Sequence, residues 1–221
     1  GTNAGMMTVR EATKQSINTG FTEMLRDLDV CEVTKLAASM GITKADGSQL
    51  DPDPSIALGS APVPPLSMAN AYATFASGGK YCKPIAIDQI LDASGTSMAV
   101  PSADCTQVMD QGAADETAKT LRATSEPGGT AKDAVFGRPI AGKTGTTDEA
   151  ENTWFVGFTP QLSTAVWIGD ATESGRSLVG RTIGGVTYDK IYGSDLAVPM
   201  WRDYMSQALA NDPALPIPTH G

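Results

Sequence analysis

A single histidine occurs among the 221 residues, and this scarcity limits the catalytic mechanisms and metal sites that the protein can have. It is His220, in the segment Pro216-Ile-Pro-Thr-His-Gly221, where we expect a tail. Ser-His-Asp and Cys-His mechanisms are therefore excluded, as are zinc sites of the usual kind. Any base must be a lysine, a carboxylate or a tyrosine, and we expect no metal and no cofactor.

Other features are also missing. No run of about 18 apolar residues occurs, so the sequence predicts no membrane-spanning helix, and no signal peptide is visible. The net charge of −9 argues against a nucleic-acid partner. The three cysteines lack C-x-x-C spacing, which leaves one disulfide and one free thiol possible. The length suits one sizeable domain, and a start at Gly1 without methionine suggests an excised fragment.

Three strands are predicted in the second half of the chain. The first contains Lys143-Thr-Gly-Thr146, and alternation along a strand places Lys143 and Gly145 on one face and Thr144 and Thr146 on the other. Gly145 has no side chain, so a ligand or another backbone can approach it. Residues 153–158 and 162–169 follow after short links, which predicts an antiparallel meander.

The remaining elements are predicted from capping, periodicity and turn residues. Thr8 and Glu11 form a capping box before a helix that ends near Gln15, and Ser16 and Asn18 precede a second helical pattern. Further helices are predicted at 33–40, 65–76, 115–123 and 195–209, and a hairpin at 85–100. The glycine-rich stretch at 175–193 is predicted to be a loop or a distorted region. We expect Cys82 and Cys105, which flank the hairpin, to form a disulfide in an oxidising compartment, and Cys31 to be a buried free thiol.

These motifs resemble a known family. The segments Gly142-Lys-Thr-Gly-Thr-Thr147, Asn152-Thr-Trp-Phe-Val-Gly-Phe-Thr-Pro160 and Ala165-Val-Trp-Ile-Gly169 are similar to the end of a penicillin-binding protein transpeptidase domain of the bifunctional class A type. The resemblance implies an α+β fold, with an antiparallel sheet flanked by helices and a helical subdomain. It runs from about Thr8 to about Leu209. Residues 1–211 are expected to form the C-terminal portion of the transpeptidase domain, and residues 212–221 a Pro-rich tail or linker.

The resemblance also implies roles for individual residues in serine acyl transfer from D-Ala-D-Ala stem peptides. Ser16 and Lys143 would relay protons, and Asn18 would hold the substrate amide. The hydroxyls of Thr144 and Thr146 would bind the substrate carboxylate, beside Gly145, and the Thr146 N–H would form half of the oxyanion hole. The partners implied are peptidoglycan stem peptides and β-lactams.

The nucleophile of the family is the serine of an S-x-x-K helix that lies before the S-x-N motif. No such motif precedes Ser16, so we expect the domain to be incomplete at its N-terminus and this chain to be inactive without the missing half, from the same or another chain. Ser77-Gly-Gly-Lys80 matches the S-x-x-K pattern, but two glycines are unfavourable in the interior of a helix. Its position matches a turn of the family.

Other functions remain open at this point. The chain could be a non-catalytic penicillin-binding sensor or inactive paralogue. It could also be a relative of the D,D-carboxypeptidases and serine β-lactamases, which share the K-T-G motif. The resemblance to class A penicillin-binding proteins implies an extracytoplasmic location, with the full-length protein anchored in the bacterial membrane and this part soluble. A glycosyltransferase domain upstream is an expectation from the family.

Overall fold

The computed structural model describes residues 5–172 and 175–218. The helices are α1 (Val9–Gln15), α2 (Asn18–Leu25), α3 (Val30–Ser39), α4 (Pro65–Ala76), α5 (Gln111–Arg122) and α6 (Ala197–Ala208). The strands are β1 (Lys80–Tyr81), β2 (Ile90–Leu91), β3 (Ser97–Met98), β4 (Thr106–Gln107), β5 (Ala141–Thr146), β6 (Thr153–Phe158), β7 (Ser163–Ile168), β8 (Arg181–Ile183) and β9 (Val186–Tyr188). In these described ranges, no helix has the length and apolar character needed to cross a bilayer.

The main sheet is an antiparallel meander in the order β5-β6-β7, as the sequence predicts. Lys143 of β5 lies opposite Val156 of β6, and Phe155 lies between Thr144 and Val166. Strand β5 is an edge strand of this sheet. The predicted α+β class, an antiparallel sheet flanked by helices, is confirmed.

The core on one face of the sheet is built around Trp201 of α6. Its fully buried indole meets the ring of Phe155 edge-on, with centroids 5.0 Å apart. The indole N–H donates to the carbonyl oxygens of Thr164 and Gly157, at 3.1 and 3.3 Å, so no polar atom of this large ring is left unsatisfied. Pro199 lies in the first turn of α6, where a missing N–H costs little.

A second core cluster lies on the opposite face, since Phe158 is an odd number of positions from Phe155. Phe158 and Ala141 pack there with Leu121 of α5, and the Tyr72 ring of α4 meets Phe158 edge-on. The cluster also contains Ile217, which is 3% exposed. The Pro-rich segment therefore contacts the domain as far as Ile217, while His220 lies outside the described residues. The proposed boundary at residue 211 stays a prediction.

The glycine-rich stretch at 175–193, predicted as a loop or a distorted region, contains two paired strands. Strands β8 and β9 form a hairpin, with Ile183 paired to Val186. The two turn residues, Gly184 and Gly185, have φ of +60° and +81°. Positive φ at both central positions is what a tight hairpin turn requires, and glycine adopts it without steric cost.

The three cysteines divide into a pair and a single thiol. A disulfide joins Cys82 and Cys105, close to the ladder between β1 and β4. The expectation that Cys31 is buried is wrong, because its side chain is exposed. Cys31 lies in the first turn of α3, two residues after the cap at Asp29, whose carboxylate accepts a hydrogen bond from the Cys31 N–H at 2.8 Å.

Candidate active site

Ser16 is held in a strained turn between the first two helices. It caps the end of α1 with φ 57° and ψ 48°, a left-handed conformation that non-glycine residues rarely adopt. The next N–H, of Ile17, donates to the Ala12 carbonyl at 2.9 Å, and α2 begins at once with Asn18. A side chain at Gly20 would lie 3.0 Å from the Ala12 Cβ, so the two helices are in close contact. Strain of this kind often marks a functional site.

Strand β5 presents alternate backbone groups away from β6. The carbonyl of Gly142 accepts from the Thr124 hydroxyl, and that of Thr144 accepts from the Lys143 ammonium, each at 2.9 Å. Neither carbonyl therefore points into the β5–β6 ladder. Because hydrogen-bonding direction alternates along an antiparallel strand, the N–H of Thr146 points to the same outer edge. An edge of this kind can bind an extended peptide.

Lys143 joins the two predicted motifs. Its Nζ lies 2.6 Å from the Ser16 Oγ and donates to it, although 127 positions separate the residues. Burial disfavours the charged ammonium and lowers the pKa of Lys143 from 10.5 to about 8. A lysine with a pKa near neutrality can give up and regain a proton, and the serine hydroxyl beside it can pass that proton on.

The two threonine hydroxyls of β5 have different partners. The Thr144 Oγ1 lies 2.9 Å from the Thr130 Oγ1. The Thr146 Oγ1 accepts a hydrogen bond from the Gly193 N–H at 3.1 Å. Both residues lie beside Gly193, since a Cβ at that glycine would be 3.3 Å from the Thr144 Cβ. The predicted placement of the two threonines on one face agrees with these contacts.

Gly145 lies close to a side chain of the neighbouring strand. A Cβ at this position would lie 3.2 Å from the Cβ of Trp154, its partner across the β5–β6 ladder. Trp154 in turn packs on Trp167, whose indole N–H donates to the Asn152 side chain at 2.8 Å. The absence of a side chain at Gly145 therefore allows Trp154 to pack closely against β5.

Asn18 and Ser77, which the sequence also singles out, lie at helix ends. Asn18 is exposed at the first position of α2, two residues after Ser16. Ser77 caps the end of α4, and its hydroxyl bonds to the carbonyls of Thr74 and Lys80, at 3.1 and 2.6 Å. Gly78 and Gly79 have positive φ and end the helix, so Ser77 and Lys80 are not one helical turn apart. This S-x-x-K lies in the turn that ends α4, which agrees with the predicted turn.

Two groups at the site were missed by sequence reasoning, namely the Thr130 side chain and the Gly193 amide. Thr130 follows a Gly-Gly pair that predicts only a turn, and Gly193 lies in the stretch predicted as a loop. Neither has a local signal for a role beside β5. In the part of the chain that the structure describes, no three His, Cys, Asp or Glu side chains are grouped to hold a metal ion.

The edge strand with Lys143-Thr-Gly145, bonded to a Ser-x-Asn turn, defines a class of site. It resembles the sites of the penicillin-binding proteins and class A β-lactamases, in which K-T-G and serine motifs occur together. The sequence model of the penicillin binding protein transpeptidase domain matches residues 1–181, and the chain belongs to this family.

Similar proteins agree with this assignment. The chain is 34% identical over 202 residues to penicillin-binding protein 1A of Aquifex aeolicus (strain VF5), covering 91% of this chain and 26% of the relative. It is 34% identical over 215 residues to penicillin-binding protein 1A of Neisseria meningitidis (strain MC58), covering 95% and 25%. The chain thus spans about a quarter of the length of these curated relatives.

A solved structure shows the same fold. It is that of the PonA1 protein from Mycobacterium tuberculosis in complex with penicillin V, with a TM-score of 0.83 and 27% identity. The match covers 99% of this chain and 61% of that one.

Proposed function

We propose that this chain forms part of a D,D-transpeptidase site, which cross-links peptidoglycan stem peptides by serine acyl transfer from D-Ala-D-Ala and is acylated by β-lactams. The observation that carries the proposal is the hydrogen bond of 2.6 Å between the Lys143 Nζ and the Ser16 Oγ. It joins the S-x-N turn to the K-T-G strand, and a buried lysine with a lowered pKa is typical of a catalytic site.

In this proposal Ser16 and Lys143 form a proton relay. The nucleophilic serine attacks the penultimate carbonyl of the stem peptide, and its proton passes to a neighbouring amine. The relay then delivers a proton to the nitrogen of the terminal D-alanine, which leaves as an amine. The amine of a second stem peptide attacks the acyl-enzyme, forms the new amide bond and restores the serine.

The edge of β5 binds the substrate in the same proposal. The hydroxyls of Thr144 and Thr146 donate to the terminal carboxylate, and the nearby Lys143 adds positive charge. The outward N–H of Thr146 supplies half of the oxyanion hole, where charge develops during acylation. The exposed side chain of Asn18 holds the substrate amide, and Gly145 lies between the two threonines along the strand.

The nucleophile of the proposed reaction comes from outside these 221 residues. Ser77 begins the only S-x-x-K in the sequence, and its hydroxyl is engaged by backbone carbonyls at the end of α4. The missing serine and its lysine would belong to the other part of the same domain, in the same or another chain. We place the site on the extracytoplasmic face of the bacterial cell membrane, where stem peptides are found.

The test is covalent labelling by a fluorescent penicillin. The label is followed in denaturing gels for this chain alone and for the full-length protein that carries it. Excess unlabelled penicillin controls for non-specific labelling. Ser77→Ala tests whether the serine at the end of α4 is the labelled residue. We expect the full-length protein to be labelled, the chain alone to remain unlabelled, and Ser77→Ala to be labelled like the unchanged protein.

Each other outcome points to a different function. Labelling of the chain alone would place the nucleophile among these residues, and loss of that label in Ser77→Ala would identify it. No labelling of the full-length protein would overturn the acyltransferase proposal and favour a non-catalytic relative. Release of D-alanine from a stem peptide without cross-linking would indicate a carboxypeptidase.

A further inference from the structure

The segment from Ala123 to Ala131 connects the two motifs of the site. Its Thr130 N–H donates to the Lys14 carbonyl at 3.2 Å, two residues before Ser16. The Thr130 hydroxyl reaches the other way, to the Thr144 hydroxyl of β5 at 2.9 Å. One residue therefore holds the end of α1 through its backbone and the K-T-G strand through its side chain.

The turn that presents Thr130 is rigidly built. A Cβ at Gly129 would lie 2.1 Å from the Thr124 carbonyl oxygen, so only glycine fits there. The Ala131 N–H donates to that same carbonyl at 2.9 Å, and Ala131 is fully buried. Contacts on both sides of Thr130 thus fix its backbone, and its hydroxyl has a defined position relative to β5.

The two hydroxyls can exchange donor and acceptor roles. The geometry has Thr144 donating to Thr130, and each hydroxyl carries one proton and two acceptor lone pairs. If Thr130 donates instead, the proton of Thr144 becomes available to an anion and no hydrogen bond is lost. Thr146 needs no such exchange, because an amide N–H such as that of Gly193 can only donate to it.

We propose that Thr130 is a positioning residue, which orients the Thr144 hydroxyl so that it donates to the carboxylate of the substrate or of a β-lactam. This inference rests on the proposed function, in which Thr144 binds that carboxylate. Thr130 itself does not touch the substrate, and its effect passes through Thr144.

The test measures the second-order rate constant for acylation of the full-length protein by a fluorescent penicillin. Thr130→Val keeps the shape of the side chain and removes the hydroxyl, and we expect acylation about 5- to 10-fold slower, the effect of losing one hydrogen bond. Thr130→Ser keeps the hydroxyl and should stay within about 2-fold of the unchanged protein. In a Thr144→Val background, Thr130→Val should have no further effect.

Two comparisons separate positioning from general support. Thr124→Val makes the same chemical change in the same segment, but the Thr124 hydroxyl bonds to the carbonyls of Leu121 and Gly142 and is fully buried. It should lower the Tm, and its effect should persist in the Thr144→Val background. The methyl ester of the penicillin lacks the anion, so Thr130→Val should slow its acylation much less than that of the free acid.

The outcomes distinguish the two proposals. No acylation of the unchanged protein would overturn the proposed function and this inference with it. Acylation with an unchanged rate in Thr130→Val, or with equal slowing in the Thr144→Val background, would overturn only the role of Thr130. If Thr130→Val does not fold, Thr130→Ala provides the comparison, since it removes the hydroxyl without adding a methyl group.

Discussion

Replacing Lys143 by methionine should nearly abolish acylation without destabilising the protein. Methionine keeps an unbranched stem of similar length and removes the ammonium. Acylation should fall by at least about 100-fold, the usual contribution of a positioned proton-transfer group. Penicillin labelling of the full-length protein measures this loss, and Lys119→Met, at an exposed lysine of α5, is the matched control.

The effect on stability follows from the pKa of Lys143. Its fall from 10.5 to about 8 corresponds to about 3 kcal/mol, at about 1.4 kcal/mol per pH unit, by which the folded state disfavours the charged lysine at pH 7. Lys143→Met removes this cost. It also leaves the Ser16 hydroxyl and the Thr144 carbonyl without a donor, at about 1 kcal/mol each. The net change is a gain of about 1 kcal/mol at pH 7.

The pH dependence gives an independent check with a definite sign. A lysine whose pKa is lowered on folding binds more protons in the unfolded state between pH 8 and 10.5, so stability rises with pH in that window. Between pH 7 and 9.5 the unchanged protein should gain about 2 kcal/mol relative to Lys143→Met. Urea unfolding of both proteins measures the difference, in which other titrating groups cancel.

Either of two results would refute the reasoning. One is a variant less stable than the unchanged protein by more than about 3 kcal/mol, since Lys143 would then be a structural residue. The other is a stability difference that stays constant between pH 7 and 9.5, since the pKa of Lys143 would then be ordinary.

Three further predictions concern stability. Trp201→Ala should cost about 3–5 kcal/mol in urea unfolding, because Trp201 fills the core under β6 and β7. Ile217→Ala should cost about 2–5 kcal/mol if the Pro-rich segment is part of the fold, whereas a free tail would show no change. Intact mass should rise by two hydrogens on reduction of Cys82–Cys105, and Cys82→Ser with Cys105→Ser should cost about 3 kcal/mol while acylation continues.

Local sequence pattern was sufficient to predict the sheet but not the contacts within the candidate site. Alternation and short links predicted the β5–β7 meander because each strand pairs with its neighbour in sequence. The contact between Ser16 and Lys143 spans 127 positions, and only resemblance to a family anticipated it. The contacts of the Gly193 amide and the Thr130 hydroxyl with β5 were not predicted, since any residue has an N–H and threonine is common in turns.

Some information in the sequence was present but not used. Gly184 and Gly185 stand between Arg181-Thr-Ile183 and Val186-Thr-Tyr188, which is the pattern of a two-residue hairpin, yet the high glycine content of the region suggested a loop. Cys31 was expected to be buried because free cysteines usually are. The cap at Asp29 sets where α3 begins, and it places Cys31 in an exposed first turn.

Two locally unfavourable features meet within one hydrogen bond, namely the left-handed backbone of Ser16 and the desolvated ammonium of Lys143. Their coincidence is expected of a site selected for reaction, and Ser16 allows a direct test. Ser16→Gly relieves about 1–2 kcal/mol of backbone strain and removes the hydroxyl, whereas Ser16→Ala removes the hydroxyl alone. Both should lose acylation, and Ser16→Gly should be the more stable in urea. Equal stability would show that the turn stores no strain, and full acylation by Ser16→Ala would remove Ser16 from the relay.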